Sequence, residues 1–186
     1  MTTIKQLTTP LTFDQVKDLK AGDQVSITGV IYSARDAAHK NMVDALNENL
    51  PMPIDVKDQV IYYAGPSPAK PGKAIGSCGP TTSGRMDAYS PTMMEQGLRG
   101  MIGKGPRSKE VIESMKKHGA VYFAAIGGAA ALIADTIKKV DIVAYADLGP
   151  EAIRRMEVVN YPCIVAVDCE GNDLYEIGVK KYRIED

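Results

Sequence analysis

Apolar and polar positions along the chain follow two periods, and the change from one to the other predicts its secondary structure. Between Gln24 and Ser33 they alternate residue by residue and include β-branched side chains, which is typical of a strand. Ser33 can cap a following helix, because Asp36 lies three residues later as in a capping box. One face of that helix carries the apolar residues Ala38, Met42, Ala45 and Leu46.

The same reasoning predicts elements along the rest of the chain. A short helix begins at Ser90-Pro91, where proline is favoured, and ends at Gly97. Ser108 can cap a helix over residues 109–117, which His118-Gly119 ends. The other predicted elements are strands at 60–64, 120–126, 142–145, 163–167 and 174–177, and helices at 128–138 and 150–156.

Strands and helices interleave in this pattern, which indicates an α/β fold. The last two strands form a predicted hairpin around Glu170-Gly171-Asn172, so we expect a mixed sheet rather than a purely parallel one. Residues 64–72 are rich in proline and glycine but short enough to be an internal loop. We therefore expect one domain over residues 1–186.

Composition excludes several classes of protein. With 45% apolar and 24% charged residues, the 186-residue chain has the balance of a globular protein. Its net charge of −1 gives no indication of nucleic-acid binding. The N-terminus lacks the pattern of a signal peptide, and the longest uncharged stretch, residues 119–134, is too short to span a bilayer. Three cysteines make no disulfide framework, so we expect a soluble, cytoplasmic protein without membrane partners.

Candidate chemistry concentrates in residues 76–89, GSCGPTTSGRMDAY. Gly79 and Gly84 permit unusual dihedrals or a close approach to a ligand. Residues 81–83 supply three hydroxyls, and Arg85 supplies a planar fork that suits a carboxylate or a phosphate. A turn followed by a helix cap explains the same composition equally well. No Gly-Lys-Ser/Thr ending follows, which excludes a P-loop.

Arg35 lies at the start of the helix predicted after Ser33, where the helix dipole disfavours a cation. A bound anion shared by Arg35 and the helix start explains this position. A surface arginine paired with Asp36, or with a more distant acid, explains it as well. One turn later, His39 fits a buried structural histidine better than a catalytic base.

The remaining candidates are weaker. Lys104 lies between two glycines and can present its ammonium group to an anion, although exposed loop lysines are common. Gly127-Gly128 can approach an anion or allow close packing of a helix on a strand. The cysteines, at positions 78, 163 and 169, show no metal-ligand spacing. Cys78 has no histidine nearby in the sequence, so we expect neither a nucleophile nor a metal ligand there.

The GSCGPTTSGRMDAY segment closely resembles the signature of the C-terminal domain, or separate β subunit, of class I iron–sulfur fumarate hydratases. The resemblance extends in register over most of the chain. It includes the blocks SARDAAHK (33–40), VIYYAGP (60–66), GKGPRS (103–108), KKHGAVYFAAIGGAAALIA (116–134) and MEVVNYPCIVAVDCEGNDLY (156–175).

This resemblance implies a compact swivelling β/β/α domain that holds half of an active site. A partner α subunit, or N-terminal domain, would hold a four-iron, four-sulfur cluster through three cysteines, with one open iron position for substrate. By motif position, Arg35, Arg85 and Lys104 would bind the carboxylates of a small dicarboxylate, and Thr81 would be the catalytic base. This chain would contribute no metal ligand, and the assembly would be an α2β2 heterotetramer.

The resemblance implies reversible hydration of fumarate to (S)-malate. The β subunits of tartrate dehydratase share the general pattern but tend to carry a bulkier residue where this chain has Gly84, which favours fumarate. A different class of function also remains open, in which the same four residues bind an anion in a non-catalytic module. We expect the chain alone to fold, to bind no cluster and to have no activity.

Overall fold

The computed structural model describes residues 3–126 and 128–184. Within them the strands are β1 (Lys5–Thr8), β2 (Gln24–Ser33), β3 (Val60–Tyr62), β4 (Gly100–Gly103), β5 (Val121–Ala124), β6 (Ile137–Ala144) and β7 (Ile153–Val167). The α-helices are α1 (Phe13–Val16), α2 (Asp36–Asn47), α3 (Ser90–Glu95), α4 (Lys109–His118), α5 (Ala130–Thr136) and α6 (Leu174–Tyr182). Short 3-10 helices cover Ser83–Met86 and Ala146–Glu151.

The seven strands form one mixed sheet in the order β1-β2-β3-β4-β5-β7-β6. Each neighbouring pair from β1 to β5 is parallel, whereas β7 runs antiparallel to β5 and β6. Strand β7 also pairs antiparallel with β2, so that β2, β3, β4, β5 and β7 form a closed circuit of paired strands. The predicted α/β class with a mixed sheet is confirmed.

Both faces of β3 are buried, which explains its uninterrupted apolar sequence. Val60 and Tyr62 belong to one hydrophobic core, which lies against β2 and β7. Ile61 and Tyr63 belong to a second core, which contains the apolar faces of α2, α3 and α4. The carboxyl ends of the parallel strands are therefore held rigidly from both sides.

Several predicted helix ends are confirmed. The Ser108 hydroxyl accepts a hydrogen bond from the Val111 backbone N–H at 3.3 Å, and so caps α4. Gly119 follows α4 with a φ of 65°, the left-handed conformation that glycine adopts without strain. The short helix α3 begins at Ser90, with proline in its first turn, and Gly97 follows it with a φ of 94°.

The prediction that Ser33 caps α2 is wrong. Ser33 is the last residue of β2, where it pairs with Tyr62 on one side and Arg154 on the other. Strand pairing therefore extends to Ser33, and the helix begins later, with Arg35 at its N-cap. The Asp36 side chain, which a capping box would direct back to Ser33, binds Arg85 instead.

The predicted helix at 150–156 is also wrong, because most of that segment belongs to β7. This 15-residue strand pairs with β2, β5 and β6 over different parts of its length. β6 directly precedes this strand, whereas β2 and β5 are distant in sequence, and these pairings together override the local helical pattern. The strand predicted at 142–145 is the end of β6, which begins at Ile137, so α5 is shorter than the predicted helix 128–138.

The predicted C-terminal hairpin is replaced by a strand, a turn and a helix. Asp173 caps α6 by accepting a hydrogen bond from the Tyr175 backbone N–H at 2.8 Å. Gly171 has a φ of 85°, and the Asp168 carboxylate accepts hydrogen bonds from Glu170 and Asn172, which closes the turn. No helix among the described residues is both long and apolar enough to cross a membrane.

Candidate active site

The predicted site residues lie at the carboxyl ends of the parallel strands, where open α/β sheets commonly bind ligands. Arg35 follows the end of β2, and Lys104 directly follows β4. The Thr81 backbone N–H donates to the Tyr63 carbonyl at 2.7 Å, which places residues 80–82 beside the end of β3. The Lys104 backbone N–H in turn donates to the Thr81 carbonyl at 3.3 Å.

Arg35 pairs with a carboxylate that is distant in sequence. Its Nη2 lies 3.5 Å from Oε1 of Glu151, and Oε2 of the same carboxylate accepts the Ala37 backbone N–H at 3.0 Å. A carboxylate of the chain therefore already lies at the start of α2 beside Arg35. Of the alternatives for Arg35, pairing with a more distant acid is confirmed, and pairing with Asp36 is wrong.

The Arg35 guanidinium is packed closely against the backbone of Gly65. A Cβ atom at position 65 would lie 2.5 Å from Arg35 Nη1, so only glycine leaves room for this side chain. The Nε atom of Arg35 is buried without a hydrogen-bond partner among the described residues. Arg35 thus keeps donor capacity beyond its contact with Glu151.

Arg85 lies in the 3-10 helix Ser83–Met86, and a carboxylate binds one edge of its guanidinium. Its Nε lies 3.0 Å from Asp36 Oδ1, and its Nη2 lies 2.7 Å from Oδ2. The side chain is 54% exposed, and this contact leaves Nη1 available to a ligand. Because Asp36 follows Arg35 in the chain, the two arginines are linked through adjacent residues.

The side chains of Thr81 and Lys104 have polar groups without a partner among the described residues. The half-buried Thr81 hydroxyl makes no hydrogen bond, and the exposed Lys104 ammonium forms no ion pair, within the part of the chain that the structure describes. Gly105, with a φ of 82°, turns the chain after Lys104. The Tyr175 hydroxyl accepts the Gly105 N–H at 3.0 Å, and the Tyr122 hydroxyl donates to the Gly105 carbonyl at 2.9 Å.

The structure therefore joins the four candidates as two pairs. Thr81 and Lys104 share a backbone hydrogen bond, and Arg35 is connected with Arg85 through Asp36. Among the described residues, no side-chain hydrogen bond joins one pair to the other. Each of the four retains at least one donor or hydroxyl that its contacts within the chain do not use.

A buried polar network lies beneath the site, and the sequence analysis missed it. Arg107 Nε lies 2.7 Å from Asp87 Oδ1, and Nη2 donates to the Ser90 hydroxyl at 2.6 Å. The guanidinium carbon lies 5.4 Å and 5.0 Å from the ring centres of Tyr63 and Tyr122. Asp87 lies in the GSCGPTTSGRMDAY segment and Arg107 lies in the GKGPRS block. Their opposite charges were the sequence feature from which this ion pair could have been predicted.

His39 is fully buried beside this network, in agreement with a structural role. Its Nδ1 lies 2.8 Å from the Arg35 carbonyl oxygen, so the neutral ring donates that hydrogen bond. Its ring contacts Tyr63 edge to face at 5.4 Å between centres. Burial, together with a smaller contribution from the Arg107 charge, lowers the pKa of His39 to about 4, although the hydrogen bond to the Arg35 carbonyl and the Asp36 charge oppose this shift.

The thiols of this chain do not fit the ligands of an iron–sulfur cluster. Burial raises the pKa of Cys78 to about 12 and that of Cys163 higher still, which disfavours the thiolate that binds a metal. No group of three histidine, cysteine or carboxylate side chains among residues 3–126 and 128–184 lies close enough to hold a metal ion. A cluster would need ligands from another polypeptide segment.

The unusual dihedrals expected for the glycines of the 76–89 segment are absent, because neither Gly79 nor Gly84 has a positive φ. A Cβ at position 84 would meet nothing within 4 Å, whereas one at position 79 would lie 3.2 Å from the Ala130 Cβ. Closer approach is required at Gly103, where a Cβ would overlap the Ser83 hydroxyl. Gly128 has a φ of 83° and precedes the seven-residue helix α5, while Gly127 lies outside the described residues.

Three clefts of the molecule lie away from the candidate residues. One of ≈ 490 Å³ lies between residues 67–77 and α5, and another of ≈ 480 Å³ lies between β2 and β7. A third, of ≈ 450 Å³, is bordered by Arg154 and the 3-10 helix Ala146–Glu151. None of these three clefts is lined by Arg35, Thr81, Arg85 or Lys104.

Comparison with known proteins supports a relationship over nearly the whole chain. Residues 2–178 match the family described as Fumarase C-terminus. The chain is 41% identical over 163 residues to fumarate hydratase 2 of Leishmania major, covering 87% of this chain and 29% of that protein. It is 40% identical over 164 residues to the aerobic class I fumarate hydratase of Escherichia coli K12, covering 87% and 30%.

A third relative has almost the same extent as this chain. A putative L(+)-tartrate dehydratase subunit beta from Methanocaldococcus jannaschii is 42% identical over 177 residues, covering 92% of this chain and 91% of that protein. By contrast, the chain spans less than a third of the two fumarate hydratases named above. The chain is homologous to class I fumarate hydratases and to this tartrate dehydratase subunit, and it belongs to the fumarase C-terminus family.

Proposed function

We propose that this chain is the β subunit of a hydro-lyase that interconverts fumarate and (S)-malate. Its homology to fumarate hydratases and a tartrate dehydratase subunit supports reversible addition of water to a dicarboxylate. The observation that carries the proposal is the arrangement at the carboxyl ends of β2 and β4. There lie two oriented arginines, together with a lysine and a threonine hydroxyl that have no side-chain partner among residues 3–126 and 128–184.

Three cations of the site suit a substrate with two carboxylates. Arg35 and Arg85 are each fixed by a carboxylate of the chain, so little side-chain entropy is lost when they bind a ligand. Lys104 adds a charge that has no partner among the described residues. Together these groups would orient a small dicarboxylate by bidentate contacts and hold it for reaction.

Dehydration of malate removes a proton from the carbon next to one carboxylate and the hydroxyl from the other central carbon. As the C–H bond breaks, negative charge develops on the adjacent carboxylate, and the nearby cations stabilise that charge. We assign the proton to the side-chain oxygen of Thr81 in its alkoxide form, after the proton of the Thr81 hydroxyl has passed to solvent. Transfer from malate restores the neutral hydroxyl, and the hydroxyl of malate leaves as hydroxide, so the step releases water overall. A threonine is a weak base on its own, and the positive charge of Lys104, which is joined to Thr81 by a backbone hydrogen bond, would favour the alkoxide.

The other half of the active site belongs, in this proposal, to a partner α subunit with a four-iron, four-sulfur cluster. The thiols of this chain do not fit a cluster, and its candidate residues do not line the three clefts described above. The two fumarate hydratases named above are more than three times longer than their aligned segments. We propose an α2β2 heterotetramer in which the α subunit covers this surface.

A second candidate is the β subunit of L(+)-tartrate dehydratase. The observation in its favour is the M. jannaschii relative, which matches this chain over 91% of its own length. Gly84 itself favours the first candidate by resemblance, although the open space around it would accommodate the bulkier residue expected in tartrate dehydratases. Steady-state rates on malate, L-tartrate and mesaconate separate these candidates, and a strong preference for tartrate would overturn the first.

The central experiment is anaerobic reconstitution with a cluster-bearing partner, followed by an assay of malate dehydration. Arg85→Ala should lower kcat/KM by about 10²-fold or more, because it removes a charged contact to the transition state. Arg155→Ala is the matched control, since Arg155 forms an ion pair with Glu157 on β7. If Arg85→Ala stays within a few-fold of wild type while the cluster is intact, a non-catalytic anion-binding module becomes the better explanation.

A further inference from the structure

Arg85 would be a mobile surface side chain without its carboxylate partner. It is 54% exposed, yet Nε and Nη2 both contact Asp36, at 3.0 Å and 2.7 Å. The Nε contact is a hydrogen bond, whereas the Nη2 contact is an ion pair only, because Asp36 Oδ2 accepts no hydrogen bond among the described residues. One charge-assisted hydrogen bond with a second ionic contact on the same edge holds the guanidinium in place. These two contacts also occupy the edge formed by Nε and Nη2, which leaves the end with Nη1 for a second carboxylate.

Asp36 is itself fixed at the position from which it holds Arg85. It is the first residue of α2, directly after the N-cap residue Arg35, and its side chain is 24% exposed. The start of a helix favours a negative charge, so this position suits a permanent carboxylate. Glu151 anchors the same helix start by accepting the Ala37 backbone N–H and contacting Arg35.

We propose that Asp36 is a positioning residue that sets the orientation of Arg85 and its distance from Arg35. The inference rests on the proposed function, because it assigns the two arginines to two carboxylates of one substrate. Since Arg35 and Asp36 are consecutive, one dipeptide supplies the first cation and the group that orients the second. The separation of the two guanidinium groups, and with it the length of dicarboxylate that fits, is then determined at the start of α2.

A purely structural role for the pair makes a different prediction. Arg85 is more than half exposed, so its ion pair with the less exposed Asp36 contributes only modestly to stability, and removing it should change folding little. A positioning role instead predicts a loss of substrate affinity that depends on Arg85. It also predicts that Asp36→Glu, which adds one methylene and moves the carboxylate by roughly 1.5 Å, impairs binding although the charge is kept.

The test uses the reconstituted enzyme and a double-mutant cycle. Asp36→Asn should raise KM for malate about tenfold and reduce kcat less than threefold, because an oriented binding group is lost. In an Arg85→Ala background the same substitution should have no further effect. Asp44→Asn is the matched control, since it makes the same change on α2 in a carboxylate that pairs with Lys40.

A second readout needs no activity. In ¹⁵N NMR spectra of the chain, the Arg85 Nε–Hε group should give a resolved signal that is protected from solvent exchange. Asp36→Asn should remove that protection, and Asp44→Asn should preserve it. Circular dichroism and urea unfolding establish that each variant is folded, and Asp36→Glu provides a second, charge-conserving variant.

The positioning role of Asp36 and the proposed function can fail separately in these experiments. If Arg85→Ala abolishes activity while Asp36→Asn leaves KM and the Nε–Hε signal unchanged, Asp36 does not position Arg85, and the proposed function stands. If Arg85→Ala leaves activity unchanged, the proposed function fails. The inference then fails with it, even if the protected signal shows that the ion pair exists.

Discussion

Asp87 and Arg107 form an ion pair in which Oδ1 lies 2.7 Å from Nε and the arginine side chain is completely buried. The pair joins the segment that contains residues 81–85 to the loop after β4. Burial opposes the charge of Arg107, but the neighbouring Tyr63 and Asp87 together raise the pKa of its guanidinium above the usual value. The other oxygen of Asp87 accepts the Ser108 backbone N–H at 2.7 Å.

Asp87→Ala should therefore destabilise the chain strongly. It leaves the buried Arg107 charge without a counter-ion, which typically costs about 3–5 kcal/mol in the free energy of unfolding. Urea unfolding at neutral pH measures the change. Glu113→Ala is the control, because it removes an exposed pair with Lys116 and should change stability little. Equal, small effects of the two substitutions would contradict the structural role of Asp87.

The buried His39 predicts a dependence of stability on pH. Its pKa is lowered to about 4, whereas the same imidazole in the unfolded chain titrates near 6.5. As pH falls from 6.5 to about 4, the unfolded state takes up a proton that the native state does not. The free energy of unfolding should fall by about 3 kcal/mol over this range, and the contribution is complete above pH 6.5.

The variant His39→Asn isolates this effect, because asparagine can still donate to the Arg35 carbonyl but does not titrate. The groups nearest the ring are Arg107, Asp36, Tyr63 and Tyr89, and all remain in the variant. Urea unfolding between pH 4 and 7 should show a smaller loss of stability for His39→Asn than for wild type. His118→Asn should retain the wild-type dependence, and identical profiles for all three chains would exclude His39 as the cause.

The sequence predicted the fold well where local signals decide the structure. Strand β2 and the cap of α4 followed from alternation and from a serine before an apolar helical face. Only the end of strand β7 was predicted, as the strand at 163–167, because the pairing of its first part with β2 depends on residues far away in the sequence. Helix α6 was missed because its apolar residues fit a short strand as well as a helix.

In the candidate site, too, local features could be predicted from the sequence and distant contacts could not. Arg35 was noticed because a cation at a helix start is locally unfavourable, but its partner Glu151 is 116 positions away and only the fold reveals it. Asp36 had a ready local role as a capping residue, which concealed its contact with Arg85. Charged partners that are distant in sequence leave no local pattern, so the sequence yields the candidates without their geometry.

The contact between Gly65 and Arg35 predicts a specific loss of activity. Gly65→Ala places a Cβ 2.5 Å from Arg35 Nη1 and must displace the guanidinium. A displacement of about 1 Å in a substrate-orienting group should lower kcat/KM for malate by about 10–100-fold in the reconstituted enzyme. Gly178→Ala is the control, because a Cβ there meets nothing within 4 Å, and it should stay within about twofold.

Urea unfolding of Gly65→Ala separates displacement from unfolding. Position 65 does not have a positive φ, so alanine introduces no left-handed strain, and the variant should remain folded. Wild-type kinetics in a folded Gly65→Ala enzyme would show that the position of Arg35 does not matter for turnover.

The cysteines should differ sharply in their reactivity. Burial raises the pKa of Cys78 to about 12 and that of Cys163 further, whereas Cys169 is only partly buried. Because the thiolate is the reactive form, iodoacetamide at pH 8 should modify Cys169 alone in the native chain. Mass spectrometry of peptides should find the other two modified only after denaturation. Rapid modification of native Cys78 would contradict its burial and reopen a chemical role for it.

Thr81 provides the most direct test of the proposed proton transfer. Thr81→Val keeps the shape of the side chain but removes the hydroxyl, so kcat for malate dehydration should fall by about 10²–10⁴-fold with KM little changed. Thr81→Ser keeps the hydroxyl and should remain within about tenfold of wild type. Thr82→Val, at the exposed neighbouring position, is the control and should change kcat less than about threefold. A Thr81→Val enzyme with an intact cluster and near-normal kcat would show that another group accepts the proton, whereas a raised KM alone would leave Thr81 as a binding residue.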